Sequence, residues 1–284
     1  MGRIVYVNGE YVDESEARVS VFDRGFLFAD GVYEVSTVLR GQLIENSSHL
    51  ARLERSLEAL GMPAPMDSPA IEAVQNEVIR RNNLDEGVIY LQVTRGVADR
   101  DFKFPKDTRA TLVMFTQQKS LLHDPVAARG ISVISVPDIR WRRRDIKTVA
   151  LLAASMAKQA AVAAGADDAW LVEDGMVTEG SSNNAYIVTQ DNRIITRQLS
   201  QDILHGITRR SVIDLAEQEN LQVEERLFSL DEVKQASEAF ITSASTFVYP
   251  VISLDGQAIG SGQPGPVAQK LRRLYIDRAL SSLS

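Results

Sequence analysis

The sequence predicts a two-domain α/β fold, with an α+β domain in the N-terminal half and an α/β domain in the C-terminal half. Three observations indicate this class. The 284 residues, 44% apolar and 24% charged, can bury the cores of about two domains. Strand patterns and amphipathic helix patterns occur in both halves. Between them lies the expected linker, residues 119–129, which is polar, contains a proline and has no sustained period.

Residues 1–118 are expected to form the smaller, α+β domain. Short strand patterns flank turn signals at residues 4–7, 11–12, 31–39, 43–45, 88–94 and 111–116. Ser48 is expected to cap a first helix, and Ser68-Pro69 is expected to open a second. Apolar residues recur at helical spacing in both segments, so we expect both helices to pack on an antiparallel sheet.

Residues 130–284 are expected to form the larger, α/β domain. Strand patterns occur there at residues 131–136, 169–172, 185–188, 194–195 and 239–242. Helices are predicted at residues 148–164, 207–219 and 267–279. This succession of strands and helices is the basis for the α/β assignment.

The composition argues against several classes of partner. The formal net charge of -7 and the pI near 5.2 disfavour binding to nucleic acid or to an anionic membrane by bulk attraction. No apolar stretch is long enough to span a bilayer, and the first residues lack the core of a signal peptide. The sequence therefore predicts a cytoplasmic protein whose ligands are small molecules.

The sequence also offers few ligands for a metal ion. It contains 0 cysteines, which excludes disulfides, thiolate nucleophiles and cysteine-ligated metals. The histidines are His49, His123 and His205, and no two of them have the spacing of a zinc site. We therefore expect no metal centre.

Lys147 and Glu179 are the residues most suggestive of chemistry. Lys147 follows a strand pattern and the basic run Arg140–Arg144, and it precedes the alanine-rich stretch 148–164. Glu179 lies in the segment Thr178–Asn184. A lysine can hold pyridoxal phosphate as a Schiff base, and a carboxylate at the pyridine nitrogen keeps the ring protonated. Taken separately, Lys147 reads as a solvated lysine at a helix start and Glu179 as a surface turn carboxylate.

Several motifs together resemble one enzyme family along nearly the whole chain. They are Asp23-Arg24-Gly25 through Asp30-Gly31-Val32-Tyr33-Glu34, His49-Leu50-Ala51-Arg52-Leu53, Asp145-Ile146-Lys147, Thr178-Glu179-Gly180-Ser181-Ser182-Asn183 and Gly206-Ile207-Thr208-Arg209. The sequence is similar to the class IV (fold type IV) pyridoxal phosphate aminotransferases. This group contains D-amino acid, branched-chain and R-selective amine aminotransferases together with aminodeoxychorismate lyases.

The resemblance implies a two-domain fold type IV enzyme that binds pyridoxal 5'-phosphate in its larger domain and forms a homodimer. It implies that Lys147 forms the Schiff base and moves the proton between the substrate carbon and the cofactor. It also implies that Glu179 pairs with the pyridinium nitrogen. Ser182 and Asn183 follow Gly180 where small residues allow a close approach of the backbone to the ligand.

The resemblance places the phosphate at Gly206, Ile207 and Thr208, where a helix start offers free N–H groups and a positive dipole end. Arg52 is the implied cationic partner. The remaining implied contacts are a turn at Ser243 and Ala244, Leu204 against the ring, and Tyr33 over the active site. Each residue also has a plainer interpretation: Thr208 as a helix cap, Arg52 as a solvated side chain, Leu204 and Tyr33 as packing.

The loop after Thr94-Arg95-Gly96 is expected to select the substrate. Family members that act on D-amino acids carry Arg-x-His there, whereas this chain has Arg100-Asp101-Phe102. Arg100 can still bind a substrate carboxylate through both guanidinium nitrogens. The implied reaction is a ping-pong transamination of a D-amino acid with a 2-oxo acid acceptor, 2-oxoglutarate or pyruvate.

Other members of the family are the alternatives. An R-selective amine aminotransferase is the main one, because Phe102 suits an apolar substituent. Tyr90-Leu91-Gln92 lacks the Tyr-x-Arg of branched-chain enzymes, and Val97–Arg100 does not resemble the glycine-rich loop of aminodeoxychorismate lyases. A non-catalytic binding module has little support with lysine and glutamate both present.

Overall fold

The structure is a computed structural model and describes residues 2–283. Its contacts divide the chain into two units. The first unit contains the residues up to Ser120 together with the short segment Ile146–Ala150. The second unit contains Leu121–Asp145 and the residues from Leu151 onward. Residues 119–129, the expected linker, include a helix at Pro125–Arg129 within the second unit.

The first unit is built on one antiparallel sheet. Its elements are β1 (Ile4–Val7), β2 (Glu10–Asp13), α1 (Arg24–Phe28), β3 (Gly31–Leu39), β4 (Gln42–Ile44), α2 (Asn46–Ala59), α3 (Ser68–Arg81), β5 (Glu86–Thr94) and β6 (Thr111–Gln118). The strand order is β2-β1-β6-β5-β3-β4. Alternate residues of β3 and β5 meet the apolar faces of α2 and α3, and this core includes Val32, Leu53, Val78 and Leu91.

The second unit is built on a larger, mixed sheet. Its elements are α4 (Pro125–Arg129), β7 (Ile131–Pro137), α5 (Leu152–Ala163), β8 (Asp168–Glu173), β9 (Met176–Gly180), β10 (Asn184–Val188), β11 (Ile194–Thr196), α6 (Ile207–Gln218), β12 (Val223–Glu225), α7 (Leu230–Gln235), β13 (Glu238–Ser243), β14 (Phe247–Leu254), β15 (Gln257–Ala258) and α8 (Pro266–Ser281). The strand order is β12-β11-β10-β13-β14-β7-β8-β9, with β15 beside β14.

The core of the second unit lies on the faces of this sheet. One cluster joins Trp170, Ile187, Phe228 and Ile241, while Ala157 and Ala161 of α5 pack on β8. Among the helices of residues 2–283, none has the length and apolar composition that a membrane crossing requires.

Two helix starts differ from the prediction. Helix α2 begins at Asn46, and the N-cap position is held by Glu45 in a left-handed conformation, so Ser48 lies inside the helix and is not its cap. Helix α5 begins at Leu152 and not at Thr148. The reason is a long-range pairing, because the residues before Leu152 bond to β3.

The segment Ile146–Ala150 lies along the edge of β3. The N–H of Tyr33 donates to the carbonyl of Lys147 over 3.0 Å, and the N–H of Val149 donates to the carbonyl of Gly31 over 3.0 Å. Because β5 pairs with the whole length of β3, this segment shares the opposite edge with β4. Backbone hydrogen bonds therefore hold Lys147 at this edge of β3, and the N–H of Thr148 donates to the carbonyl of Ile146 over 2.8 Å, which forms a tight turn at Lys147.

Candidate active site

Lys147 lies beside Tyr33 in the first unit. The Lys147 Nζ atom is 4.3 Å from the centroid of the Tyr33 ring. Tyr33 in turn stacks on Tyr90 with ring centroids 5.5 Å apart, and Tyr90 stacks on Phe115 at 4.7 Å. The aromatic stack fixes the position of the ring next to the lysine amine, since such pairs prefer defined offset geometries. The structure thus brings together the predicted nucleophile and the predicted tyrosine.

Arg52 is buried and bound to Glu34 on β3. Its Nε and Nη2 atoms donate to the Glu34 carboxylate over 2.7 and 2.8 Å, and His49 Nδ1 lies 2.8 Å from the same group. Burial disfavours charge on Glu34, but the Arg52 guanidinium and His49 hold its pKa well below its ordinary value. Arg52 is therefore a fixed cation and not a solvated side chain.

The loop that carries Arg100 is anchored by two buried arginines. Arg24 and Arg95 both bind Asp30 Oδ2, over 2.7 and 2.8 Å. Arg24 Nη1 also donates to the carbonyl of Asp101 over 2.6 Å. Arg100 itself lies 5.6 Å from the centroid of the Phe28 ring. The backbone next to Arg100 is thus tied to the buried core of the first unit.

Phe102 is an exposed residue of this loop, with 79% of its surface accessible. Its ring meets Phe28 edge-on at a centroid distance of 5.7 Å, and the Arg100 guanidinium lies 5.7 Å from its centroid. In the first unit, the predicted substrate residues Arg100 and Phe102 therefore share one cluster with Phe28.

Glu179 lies in the second unit and is buried at the end of β9. Its Oε1 atom forms a short ion pair with Arg140 Nη1. Its Oε2 atom accepts hydrogen bonds from Asn184 Nδ2 and from the backbone N–H of Leu204, each over 3.1 Å. Burial raises the pKa of the Glu179 carboxyl above its ordinary value, while Arg140 and the Leu204 N–H oppose this shift.

Asp138 braces the arginine of that pair. Arg140 donates to Asp138 Oδ1 from Nε over 3.0 Å and to Oδ2 from Nη2 over 2.7 Å. Thr178 Oγ1 donates to Oδ2 over 2.7 Å. Burial works against the charge of Asp138, but Arg140 and Thr178 hold its pKa below the ordinary value. The guanidinium is thus fixed on two sides.

Helix α6 starts at the residues predicted to bind phosphate. Gly206 is its N-cap and provides no side-chain cap, so the first N–H groups of the helix are open to an anion. A β-carbon on Gly206 would lie 2.1 Å from Asn184 Oδ1, which explains the glycine. The Thr208 Oγ1 atom is buried and has no hydrogen-bond partner among the described residues. Ile207 is half-buried at the first helical position.

This start of α6 fits a phosphate-bearing cofactor. A buried hydroxyl without a partner is costly, and a phosphate oxygen would satisfy it. The neighbouring turn adds hydroxyl groups, since Ser243 Oγ lies 2.8 Å from Thr246 Oγ1. Ala244, between them in sequence, has only a methyl side chain, so it adds no hydroxyl group to this turn.

Of the predicted cofactor residues Ser182 and Asn183, one is exposed and the other is buried. Asn183 is buried, and its Nδ2 atom donates to Asp168 Oδ2 over 2.8 Å, while Ser182 is exposed. The next residue, Asn184, is the one that contacts Glu179. Asn184 Nδ2 also donates to the carbonyl of Leu204 over 3.0 Å. The side chain that orients Glu179 is thus one position beyond those predicted.

Sequence reasoning missed Arg140, Asp138 and Asn184. Arg140 lies in a run of arginines that resembles a solvated loop, and Asp138 has no distinguishing local pattern. The available signal was the excess of basic residues just before Lys147, in a chain with a net charge of -7. Such a cluster needs carboxylate partners when it is buried.

Known proteins of similar sequence identify the family of this chain. A model of the amino-transferase class IV family matches residues 31–254. A D-alanine aminotransferase of Bacillus licheniformis is 39% identical over 279 residues, which are 98% of this chain and 97% of that protein. A D-alanine aminotransferase of Staphylococcus aureus is 37% identical over 269 residues, or 94% of this chain and 95% of that protein.

Solved structures show the same fold. A branched-chain aminotransferase of the archaeon Thermoproteus uzoniensis, solved with norvaline, has a TM-score of 0.87 and 26% identity, and the match covers 99% of this chain and 96% of that chain. A branched-chain enzyme of Escherichia coli has a TM-score of 0.90 at 20% identity, and the match covers 98% of this chain and 95% of that chain. Because the Escherichia coli enzyme is only 20% identical in sequence, its similarity to this chain concerns the fold alone. Another branched-chain enzyme, with a TM-score of 0.90 and 27% identity, was solved with pyridoxamine 5'-phosphate.

The fold and the matching relatives are those of pyridoxal phosphate enzymes. More narrowly, the chain belongs to the class IV aminotransferases. The predicted fold class, enzyme class and cofactor are thereby confirmed.

Proposed function

We propose that this protein transfers the amino group of D-amino acids to a 2-oxo acid, 2-oxoglutarate or pyruvate, with pyridoxal phosphate held on Lys147 as a Schiff base. The observation that carries the proposal is the Glu179 carboxylate, which is buried yet ion-paired with Arg140. A buried anion of this kind suits a protonated pyridine ring. The choice of D-amino acids is supported by the 39% and 37% identity to D-alanine aminotransferases.

Lys147 and Glu179 do complementary work in this proposal. Pyridoxal phosphate, when bound, supplies a ring that accepts the electron pair of the substrate Cα–H bond. Glu179 keeps the pyridine nitrogen protonated, so that the ring can accept that charge. Lys147 would hold the cofactor and, once freed by the substrate amine, would take the Cα proton of the substrate on Nζ as general base. Tyr33, with its ring beside Nζ, is proposed to orient the reacting groups.

The start of α6 is proposed to hold the phosphate. Thr208 would donate its Oγ1 proton, and the N–H groups of Ile207 and Thr208 would point at the anion. We also assign phosphate contacts to Arg52 and to the turn at Ser243 and Ala244. Gly206 leaves space for Asn184 beside this helix start.

The remaining predicted contacts are proposals of the same kind. Leu204 would pack on the ring while its N–H holds Glu179. Ser182 and Asn183 keep their proposed place near the cofactor, with Asn183 braced by Asp168. A homodimer and a cytoplasmic location stay predictions from the family resemblance and the sequence.

The proposed function is tested by following the visible absorption band of the purified protein without an acceptor. D-alanine, L-leucine and (R)-α-methylbenzylamine are added separately, so that only the first half-reaction occurs. We expect D-alanine to convert the cofactor to its aminated form fastest. Faster conversion by the R-amine would make the protein an amine aminotransferase, with Phe102 at an apolar pocket. Conversion by none of the three would contradict the proposal.

Arg100→Ala tests the proposed carboxylate clamp. A bidentate guanidinium–carboxylate contact contributes about 1.5–3 kcal/mol, so kcat/KM for D-alanine should fall at least about tenfold. The rate with a simple R-amine should change much less, because that substrate has no carboxylate. The measurement is the ratio of kcat/KM for the two substrates. Arg109→Ala is the matched control, because Arg109 is an exposed arginine at the end of the same loop. Equal losses with both substrates would remove Arg100 from the clamp.

A further inference from the structure

Within the second unit, ion pairs and hydrogen bonds connect Glu179 to a row of neighbouring side chains. Glu179 Oε1 pairs with Arg140 Nη1, and the other nitrogens of that guanidinium bind both oxygens of Asp138. Thr178, the neighbour of Glu179 on β9, closes the chain with a hydrogen bond of 2.7 Å to Asp138 Oδ2. The orientation of Arg140 is thus fixed by the strand that carries Glu179.

The charges in this chain are shielded from water. The side chain of Asp138 is 0% exposed, that of Glu179 is 4% exposed and that of Arg140 is 15% exposed. Arg144 Nη1 adds a second cation 3.4 Å from Asp138 Oδ2. Two buried carboxylates repel each other and favour uptake of a proton unless a cation lies between them. Arg140 occupies that place.

The other oxygen of Glu179 has only neutral donors among the described residues. Asn184 and the Leu204 N–H each donate to Oε2 over 3.1 Å. They orient the carboxylate but supply no full positive charge. A carboxylate accepts about four hydrogen bonds, so the three donors in the structure leave capacity for one more. A pyridinium N–H would fill it.

We propose that Arg140 is a positioning residue for the cofactor ring: it keeps Glu179 ionised and aimed, with Asp138 and Thr178 holding the guanidinium in place. The inference rests on the proposed function, because it assumes that Glu179 binds the pyridine nitrogen. It extends that function to a residue that acts only through Glu179. Arg140 therefore differs in role from Arg142, which is 90% exposed in the same basic run.

The electrostatic balance supports this role. Burial raises the pKa of Glu179, the nearby Asp138 raises it further, and Arg140 is the main group that opposes both. Without Arg140, burial and Asp138 would act together, and Glu179 would protonate at a higher pH. A protonated Glu179 cannot stabilise a charged ring nitrogen.

The first test replaces Arg140 by methionine, with Arg142→Met as the matched control. Two quantities are measured on the full chain: the dissociation constant of pyridoxal phosphate, and the titration of the Glu179 carboxyl by ¹³C NMR in cofactor-free protein. We expect Arg140→Met to weaken cofactor binding about tenfold, and Glu179 to titrate at least about one pH unit higher, which is a tenfold change in its proton affinity. Arg142→Met should change neither quantity.

A double-mutant cycle with Glu179→Gln separates this role from general damage to the fold. If Arg140 acts through Glu179, the loss of cofactor affinity on replacing Arg140 should be small in the Glu179→Gln background. An equal loss in both backgrounds, or an unshifted Glu179 titration, would overturn the inference.

Arg140→Met leaves the buried Asp138 carboxylate without its main partner, so the variant can be too unstable to measure. The pair Asp138→Asn with Arg140→Met removes that charge. Compared with Asp138→Asn alone, the pair should still weaken cofactor binding, but by less than tenfold, because Asp138 no longer raises the pKa of Glu179. Neither readout requires turnover. An inactive wild-type protein would therefore contradict the proposed function without deciding the role of Arg140.

Discussion

Replacing Lys147 by alanine will abolish transamination and the visible absorption band of the bound cofactor. Lys147 is proposed both to hold the cofactor and to move the proton, so its loss removes covalent and general-base catalysis together. We expect turnover of D-alanine to fall by at least about a thousandfold, since a positioned base alone contributes roughly 10²–10⁴-fold. Stopped-flow and steady-state assays with D-alanine measure this loss.

The fold should survive the Lys147 substitution. The contacts that fix this segment are backbone hydrogen bonds, such as the one from the Tyr33 N–H to the Lys147 carbonyl. Lys119→Ala is the control, because Lys119 is an exposed lysine of the same unit. A Lys147→Ala protein that retained both the band and the turnover would show that another lysine holds the cofactor.

Replacing Glu179 by glutamine should preserve the visible band but slow the reaction of D-alanine by roughly a hundredfold or more. Glutamine has the size of glutamate and keeps an oxygen for the donors, but it lacks the negative charge that stabilises a protonated ring nitrogen. The band should survive because the covalent bond is proposed to form on Lys147 and not on Glu179. The rate of the first half-reaction is the quantity to measure.

Glu217→Gln provides the matched control for that experiment, since Glu217 is an exposed glutamate on α6. Its rate should equal that of the wild type. If Glu179→Gln kept the full rate of the first half-reaction, the cofactor ring would not need a carboxylate at its nitrogen. The role proposed for Glu179 would then be wrong.

The candidate residues of the site were easier to identify in the sequence than the framework that holds them. Lys147 and Glu179 stand out because few residue types can carry the functions proposed for them and because their motifs occur in the family's order. The aromatic support of Tyr33 was not visible. Tyr33, Tyr90 and Phe115 come from β3, β5 and β6, and only the pairing of these strands brings the three rings together.

Local patterns failed where distant parts of the chain decide the structure. The alanine-rich stretch after Lys147 favours a helix, but its first residues bond to β3 and the helix begins at Leu152. Strand β14 was not predicted, and it contains Pro250, a residue that is unfavourable inside a sheet. In the structure, β14 pairs with β7 only from Val251 onward, so the missing N–H of Pro250 does not interrupt that ladder.

Arg140 shows the same limit for charged residues. A run of arginines in a loop is usually solvated, and nothing in the neighbouring residues reveals that one of them lies between two buried carboxylates. The partners Asp138 and Glu179 are far apart in sequence, so the pairing depends on the register of β7, β8 and β9.

The segment Ile146–Ala150 has a consequence for the order in which the chain folds during synthesis. The N–H of Tyr33 and the carbonyl of Gly31 face an open strand edge until residues 147–149 have left the ribosome. A nascent chain that ends near Ser120 would therefore display an unprotected edge, the kind of surface that pairs with other chains. A fragment of residues 1–120 should aggregate more readily than a fragment in which a tethered copy of residues 146–150 covers that edge. Lys147 thus lies on the piece of chain that completes the first unit.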